Sequence, residues 1–236
     1  MQEQYHRWFS PRLQSDIEVL VFGHAGYPVV LFPPSMGRYF EAKDFGLIES
    51  VSWFVDQGLI RIYCPDGVDS RSWYNRGIHP ADRLRTQVQY DSMIKDELFP
   101  LVRQQSGIDR VCTAGCSFGS YQATNFSFRH PELVRYVFNM GGVFDIRSML
   151  DGYYSEDVYF NNPPDFIPQA QSPSFTDLFV VLGTGTHDMC WDANEQMAKI
   201  LRGKGIQHWL DVRENRPHDW SAWREMFPHY LSLIHA

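Results

Sequence analysis

From Arg110 to His130 the sequence passes without a break from a short apolar stretch, Arg110-Val111-Cys112-Thr113-Ala114, through Gly115-Cys116-Ser117-Phe118-Gly119, into the helical run Ser120 to His130. Two glycines flanking a serine at two residues on either side mark a turn too tight for side chains. A strand that feeds a helix with no connecting loop is the building unit of a parallel sheet with helices on its faces. The rest of the chain keeps the same alternation. Apolar runs predict strands at 17–22, 28–32, 59–64, 136–140, 178–182 and 205–212. Helical spacing predicts helices at 40–57, 80–105, 192–202 and 218–234, with Pro80 in a first turn and Gly107 past an end. The turn Gly23-His24-Ala25-Gly26 joins the first two strands, and the pair 17–22 and 28–32 reads as an antiparallel hairpin. The expectation is an α/β fold of three layers, with a mostly parallel central sheet and an N-terminal antiparallel hairpin.

The 236 residues suit one domain, read as 1–236, and 44% hydrophobic with 21% charged residues suffices for a packed core. One stretch breaks the rhythm. Residues 148–174 are polar, aromatic and Pro-rich (Tyr153, Tyr154, Tyr159, Phe160, Pro163, Pro164, Phe166), and read as a lid or pocket wall or, equally, as a surface excursion. The net charge of -7, with no basic run, argues against nucleic acid and anionic membrane as partners. The start Met1-Gln2-Glu3-Gln4-Tyr5-His6-Arg7-Trp8 has no apolar signal core, and no apolar stretch is long enough to span a bilayer. A cytoplasmic location follows as an expectation, and with it free thiols at Cys64, Cys112, Cys116 and Cys190. No CxxC pair supports a zinc or redox site, and no metal or organic cofactor is expected. A homo-oligomer stays open.

The serine between the glycines suggests chemistry. A Gly-x-Ser-x-Gly sequence with a strand before it and a helix after it is the context of a nucleophile elbow, in which a strained serine exposes its oxygen. Ser117 holds that central position, whereas Cys116 is one residue short of it. The amide of Phe118 then opens a helix and can donate to a developing oxyanion. A serine hydroxyl needs a base to take its proton, and such elbows deliver their partners in the order Ser, Asp or Glu, His. Of the nine histidines, His218 lies in the loop after the last strand and ahead of the final helix, where the base belongs. Asp188 follows the strand ending at Leu182 and can orient the imidazole. Asp192 is its rival, but it also makes a helix N-cap with Glu195 as capping box, so Asp188 is preferred. The second oxyanion donor should come from the loop after 28–32. Pro33 and Pro34 have no amide hydrogen, which leaves Ser35, followed by Met36 and Gly37.

These residues carry a resemblance. The elbow, the loop Phe32-Pro33-Pro34-Ser35-Met36-Gly37-Arg38, Pro65-Asp66-Gly67 with Ser72-Trp73-Tyr74, and the ending His218-Asp219-Trp220-Ser221-Ala222-Trp223 are similar to the esterase branch of the α/β-hydrolases. That branch includes S-formylglutathione hydrolases (esterase D), feruloyl esterases and mycolyltransferases. The resemblance implies an α/β-hydrolase fold, a triad of Ser117, Asp188 and His218, and a carboxylesterase acting on a small-molecule ester. It also implies that Trp73 and Tyr74 lie near the substrate cleft, with Met36 beside them. Pro33-Pro34 stand where many members have glycine, and 148–174 matches no member, so specificity does not carry over. Acyl transfer from the same intermediate, or a non-catalytic binding domain on this scaffold, are the alternatives.

Overall fold

The computed structural model describes residues 1–234. Its centre is one eight-stranded sheet. The strands are β1 (Glu3–Ser10), β2 (Ser15–Phe22), β3 (Tyr27–Phe32), β4 (Ile60–Pro65), β5 (Val111–Cys116), β6 (Val134–Met140), β7 (Phe179–His187) and β8 (Gln207–Pro217). Their order is β1-β2-β4-β3-β5-β6-β7-β8. β1 and β2 pair antiparallel, as do β2 and β4, and every pairing from β4 through β3 to β8 is parallel.

The longer helices are α1 (Pro80–Met93), α2 (Phe99–Ser106), α3 (Phe118–Arg129), α4 (Trp191–Gly203) and α5 (Trp220–Leu231). They cover both faces, because the central strands are apolar on both. Val30 and Phe32 pack with Met93, Ala123 and Phe126 on one side. Their neighbours Val29 and Leu31 pack with Val51, Val55, Met226 and Phe227 on the other. Successive strand residues point to opposite faces, so a continuous apolar run can serve both layers.

Three expectations need correction. The N-terminal hairpin exists, but its strands are β1 and β2. Residues 17–22 and 28–32 are not paired, because β4 lies between them. The turn that was to join them instead steps over the start of β4. A Cβ on Gly26, which has φ +101°, would fall 2.2 Å from the Leu59 carbonyl carbon. β1 escaped notice because Glu3, Gln4, His6 and Arg7 make it half polar, alternating exposed and partly buried positions. The helix expected over 40–57 is three short ones, Glu41–Asp44, Leu47–Ser50 and Ser52–Asp56, interrupted first by Gly46 at φ +74°. The long helix over 80–105 is joined from α1 to α2 by a π turn, Ile94–Leu98. That turn precedes Pro100, whose missing amide hydrogen and ring forbid an ordinary α bond to Asp96.

Residues 148–174 fold as short helical turns tied to the body. Arg83, 2% exposed, donates to the carbonyl of Met149 and the carboxylate of Asp151. It also donates to the Asn75 and Arg76 carbonyls, joining the 68–77 loop to the insert. The Tyr121 hydroxyl donates to the Asn161 carbonyl at 2.9 Å. Leu150 and Val158 pack with Trp73, Phe118 and Tyr121 in a cluster of their own. Among the described residues no helix is long and apolar enough to cross a membrane.

Candidate active site

At the end of β5 the chain turns through Ser117 directly into α3. Ser117 has φ 54°, a left-handed conformation that costs a non-glycine residue about 1–3 kcal/mol. The surroundings hold it there. Its amide donates to the Met140 carbonyl at 2.8 Å, and its carbonyl accepts from the amides of Ser120 and Val143. The flanking glycines are required sterically. A Cβ on Gly115 would lie 2.1 Å from the carbonyl carbon of Gly119, and one on Gly119 would lie 2.4 Å from the Phe32 carbonyl oxygen of β3. Both obstacles are backbone and cannot step aside. Gly119→Ala is therefore expected to destabilise the fold by about 3 kcal/mol or more, through overpacking that no rotamer relieves. Urea unfolding measures this, and an unchanged midpoint would mean the turn is looser than these distances say.

Cys116 is 1% exposed among core residues, and burial, with Cys64 adding to it, pushes its thiol well above the ordinary range. It is not an attacking group in this setting.

His218 sits between β8 and α5. Capping of that helix falls to Asp219, whose Oδ1 accepts from the amides of Ser221 and Ala222 at 2.8 and 3.2 Å, and His218 is left free of that duty. Its Nε2 lies 2.9 Å from Ser117 Oγ and its Nδ1 lies 2.8 Å from Asp188 Oδ1. A carboxylate accepts only, so Nδ1 carries the hydrogen and Nε2 offers its lone pair to the Ser117 hydroxyl. Asp188 follows β7, is 6% exposed, and its Oδ1 also accepts the Cys190 amide at 2.7 Å. Trp223 meets the imidazole edge-on at 5.3 Å. Burial pushes the His218 pKa down, but the hydrogen bond with Asp188 and the charge of its carboxylate, with the neighbouring Cys190 adding to them, outweigh it and hold the imidazole above its ordinary value.

Asp192 stands apart from this group. It is exposed in the first turn of α4, whose N-cap is Cys190. The capping role expected of it is thus corrected, since the helix begins one residue before Asp192. A negative charge there still suits the helix dipole.

Asp188, Cys190 and His218 bring potential ligand atoms within 4.8 Å of one another. Asp188 Oδ1 and both His218 nitrogens already have hydrogen-bond partners, so a metal would have to displace those contacts.

Spacing along the chain did not reveal Gly141. It follows β6 at φ +64°, and a Cβ there would lie 2.9 Å from Asp188 Oδ2, 2.9 Å from His218 Nδ1 and 3.0 Å from Trp223 Nε1. The pair Gly141-Gly142 directly after a strand was the available signal.

The 33–37 loop lies exposed at Ser35 and Met36. Among the described residues nothing accepts the Ser35 amide, while its hydroxyl accepts from Tyr74 at 2.7 Å. The Met36 amide is engaged, donating to Asp69 Oδ2. Phe118, as the first residue of α3, has an amide with no partner inside the helix. Tyr74 packs its ring edge-on against Phe118, and Met36 is 50% exposed. Trp73 differs from expectation. It is wholly buried and donates to Gln87, so it backs the loop and cannot touch a ligand. A cavity of about 470 Å³ lined by Phe99, Arg103, Ile108 and Val111 lies by the start of β5, whereas Ser117 follows its end. It holds none of these groups.

Several solved structures share this fold. A ferulic acid esterase superposes with a TM-score of 0.79 at 19% identity, covering 98% of this chain and 96% of that one. An S-formylglutathione hydrolase from Agrobacterium tumefaciens gives 0.77 at 15% identity, covering 98% and 93%. The fluorophosphonate-binding serine hydrolase F of Staphylococcus aureus gives 0.74 at 13%, covering 98% and 97%. At such identities the likeness is one of fold, and no curated protein matches the chain by sequence. The sequence profile of the family described as Putative esterase matches residues 10–234, nearly the whole chain, and the protein belongs to that family of hydrolases acting on esters.

Proposed function

We propose that the protein is a serine carboxylesterase working through an acyl-enzyme, with Ser117 as nucleophile, His218 as base and Asp188 as its orienting acid. The observation that carries this reading is the continuous hydrogen-bond path from Ser117 Oγ through both His218 nitrogens to Asp188, at 2.9 and 2.8 Å. Ser117 Oγ attacks the ester carbonyl carbon as its proton passes to His218 Nε2. The carbonyl oxygen becomes an oxyanion that the amides of Phe118 and Ser35 receive. Collapse of the adduct breaks the bond to the leaving alkoxide, which takes the proton from His218 and departs as the alcohol. Water then attacks the acyl group, gives its proton to His218, and the proton returns to Ser117 as the acid leaves. Every step uses groups of this chain.

In this reading Tyr74 and Met36 flank the entry of a small-molecule ester. The segment 148–174, tied by Arg83 and Tyr121, is a fixed pocket wall rather than a lid. An alkyl fluorophosphonate probe tests the assignment. It is expected to label the folded protein at Ser117 and to abolish hydrolysis of a short activated ester in step with labelling. Hydrolysis that survives complete labelling would overturn the proposal.

A further inference from the structure

Asp69 is a buried carboxylate that the reaction as written does not use. It is 4% exposed, and nothing cationic among the described residues pairs with it. Its partners are two neutral donors, the Met36 amide at 3.2 Å and the Gln122 side chain. Burial without a countercharge is costly for an anion, and it pushes the carboxyl up to about 7 against the pull of those two donors. The donor pattern behind it is set from the far end. Trp73 Nε1 can only donate, and it donates to Gln87 Oε1. Gln87 and Gln122 then exchange reciprocal bonds at 2.6 and 2.9 Å, all three residues being 5% exposed or less. A buried chain of side chains therefore ends in a carboxylate aimed at one backbone amide.

That amide belongs to an unusual turn. Gly37 donates to the Pro34 carbonyl at 2.9 Å, closing a four-residue turn whose third residue, Met36, has φ 59°. A left-handed third position is the mark of a type II turn, which ordinarily takes glycine or asparagine there. Methionine has no such freedom, and its relaxed alternative is a type I turn, in which the peptide between the second and third residues is flipped. The peptide in question joins Ser35 to Met36. Its N–H is the group Asp69 accepts, so the flip would break that bond.

We propose that Asp69 is a positioning residue for ester hydrolysis: by gripping the Met36 amide it holds the Ser35–Met36 peptide against its preferred flip and so anchors the turn, fixing in place the loop whose preceding peptide, Pro34–Ser35, offers the Ser35 amide to the oxyanion. The proposal rests on the esterase reading above. It explains why Trp73 is buried behind the loop instead of lining the cleft.

Asp69→Ala is expected to lower kcat on a short activated ester about 100-fold, the effect of losing one oxyanion donor, with KM moved by less than about threefold. Met36→Gly, which takes the left-handed conformation without strain, should restore most of the lost kcat in the Asp69→Ala background, measured against Met36→Gly alone. A purely packing role for Asp69 predicts no such rescue. Hydrogen exchange in the unaltered protein supplies a test that needs no variant: the Met36 amide should exchange at least about 10-fold more slowly than that of Ser35. An unprotected Met36 amide, an unchanged kcat in folded Asp69→Ala, or failure of Met36→Gly to rescue would each overturn the proposal. If instead Ser117→Ala keeps full activity, the esterase reading falls, while the Met36 exchange rate still reports whether Asp69 grips the turn.

Discussion

Ser117→Ala is expected to lower kcat/KM on a short activated ester about 10⁴-fold or more, since on the proposed mechanism it removes the nucleophile and leaves only what the oxyanion donors and binding contribute. The loss is chemical and not structural. Ser117 is held by main-chain bonds to Met140, Ser120 and Val143, all of which alanine keeps. Alanine also meets the same left-handed backbone with no larger side chain. The melting temperature should therefore stay within a few degrees of the parent, as for a change of about 1 kcal/mol. His218→Ala should cost nearly as much, and the double variant little more than either, because the two groups act in one proton transfer. Initial rates at saturating and limiting ester separate the effect into kcat and KM. A Ser117→Ala protein with normal melting and normal kcat would remove the acyl-enzyme mechanism altogether.

The part of this arrangement that was legible in the sequence is the part encoded locally. Gly115 and Gly119 announce a backbone contact that admits no Cβ, and the strand and helix on either side follow from adjacent residues. His218 could be picked out among nine histidines as the one brought beside Ser117 and Asp188 because chain order and the neighbouring helix start restrict which histidine can reach the elbow. The illegible part depends on convergence of distant segments. Gly141 matters because Asp188, His218 and Trp223 all crowd the place where its Cβ would be, and no spacing rule connects those four positions. Asp69 is similar: its meaning comes from Met36 and Gln122, one far upstream and one far downstream. The error at the hairpin has a different cause. β2 and β3 are each clearly strands, but pairing is decided by which third strand fits between them. The glycines read as a turn signal serve instead for close passage over Leu59 and Ile60. Trp73 was expected at the cleft because loop aromatics often line pockets. It packs against Tyr121 instead, where its indole N–H has an acceptor.

The choice between the two aspartates has a direct experimental outcome. Asp188→Asn should lower kcat/KM about 10³-fold or more, while Asp192→Asn, altering an exposed first-turn residue of α4, should leave it within about twofold. A neutral amide cannot stabilise the imidazolium formed as Ser117 attacks. If its NH₂ turns toward Nδ1, it also traps the tautomer with the hydrogen on Nε2, where the serine proton must go. The Cys190 amide, which donates to Asp188 Oδ1, favours keeping an oxygen there, so loss of charge is the larger part of the effect. The pH dependence separates that part. The base must be neutral to act, so kcat/KM rises with pH as His218 loses its proton. Asp188 is among the groups that hold the His218 pKa above its ordinary value against burial. Without the carboxylate charge, burial weighs more heavily and the pKa falls. The acid limb of the residual Asp188→Asn activity should accordingly shift to lower pH, with a lower plateau. A limb that stays in place or moves upward would deny the Asp188 charge its part, and a larger loss in Asp192→Asn than in Asp188→Asn would transfer the acid's role away from Asp188. In the first case the carboxylate would be holding the imidazole by shape alone. In the second, α4 would have to move so that its first turn reaches His218.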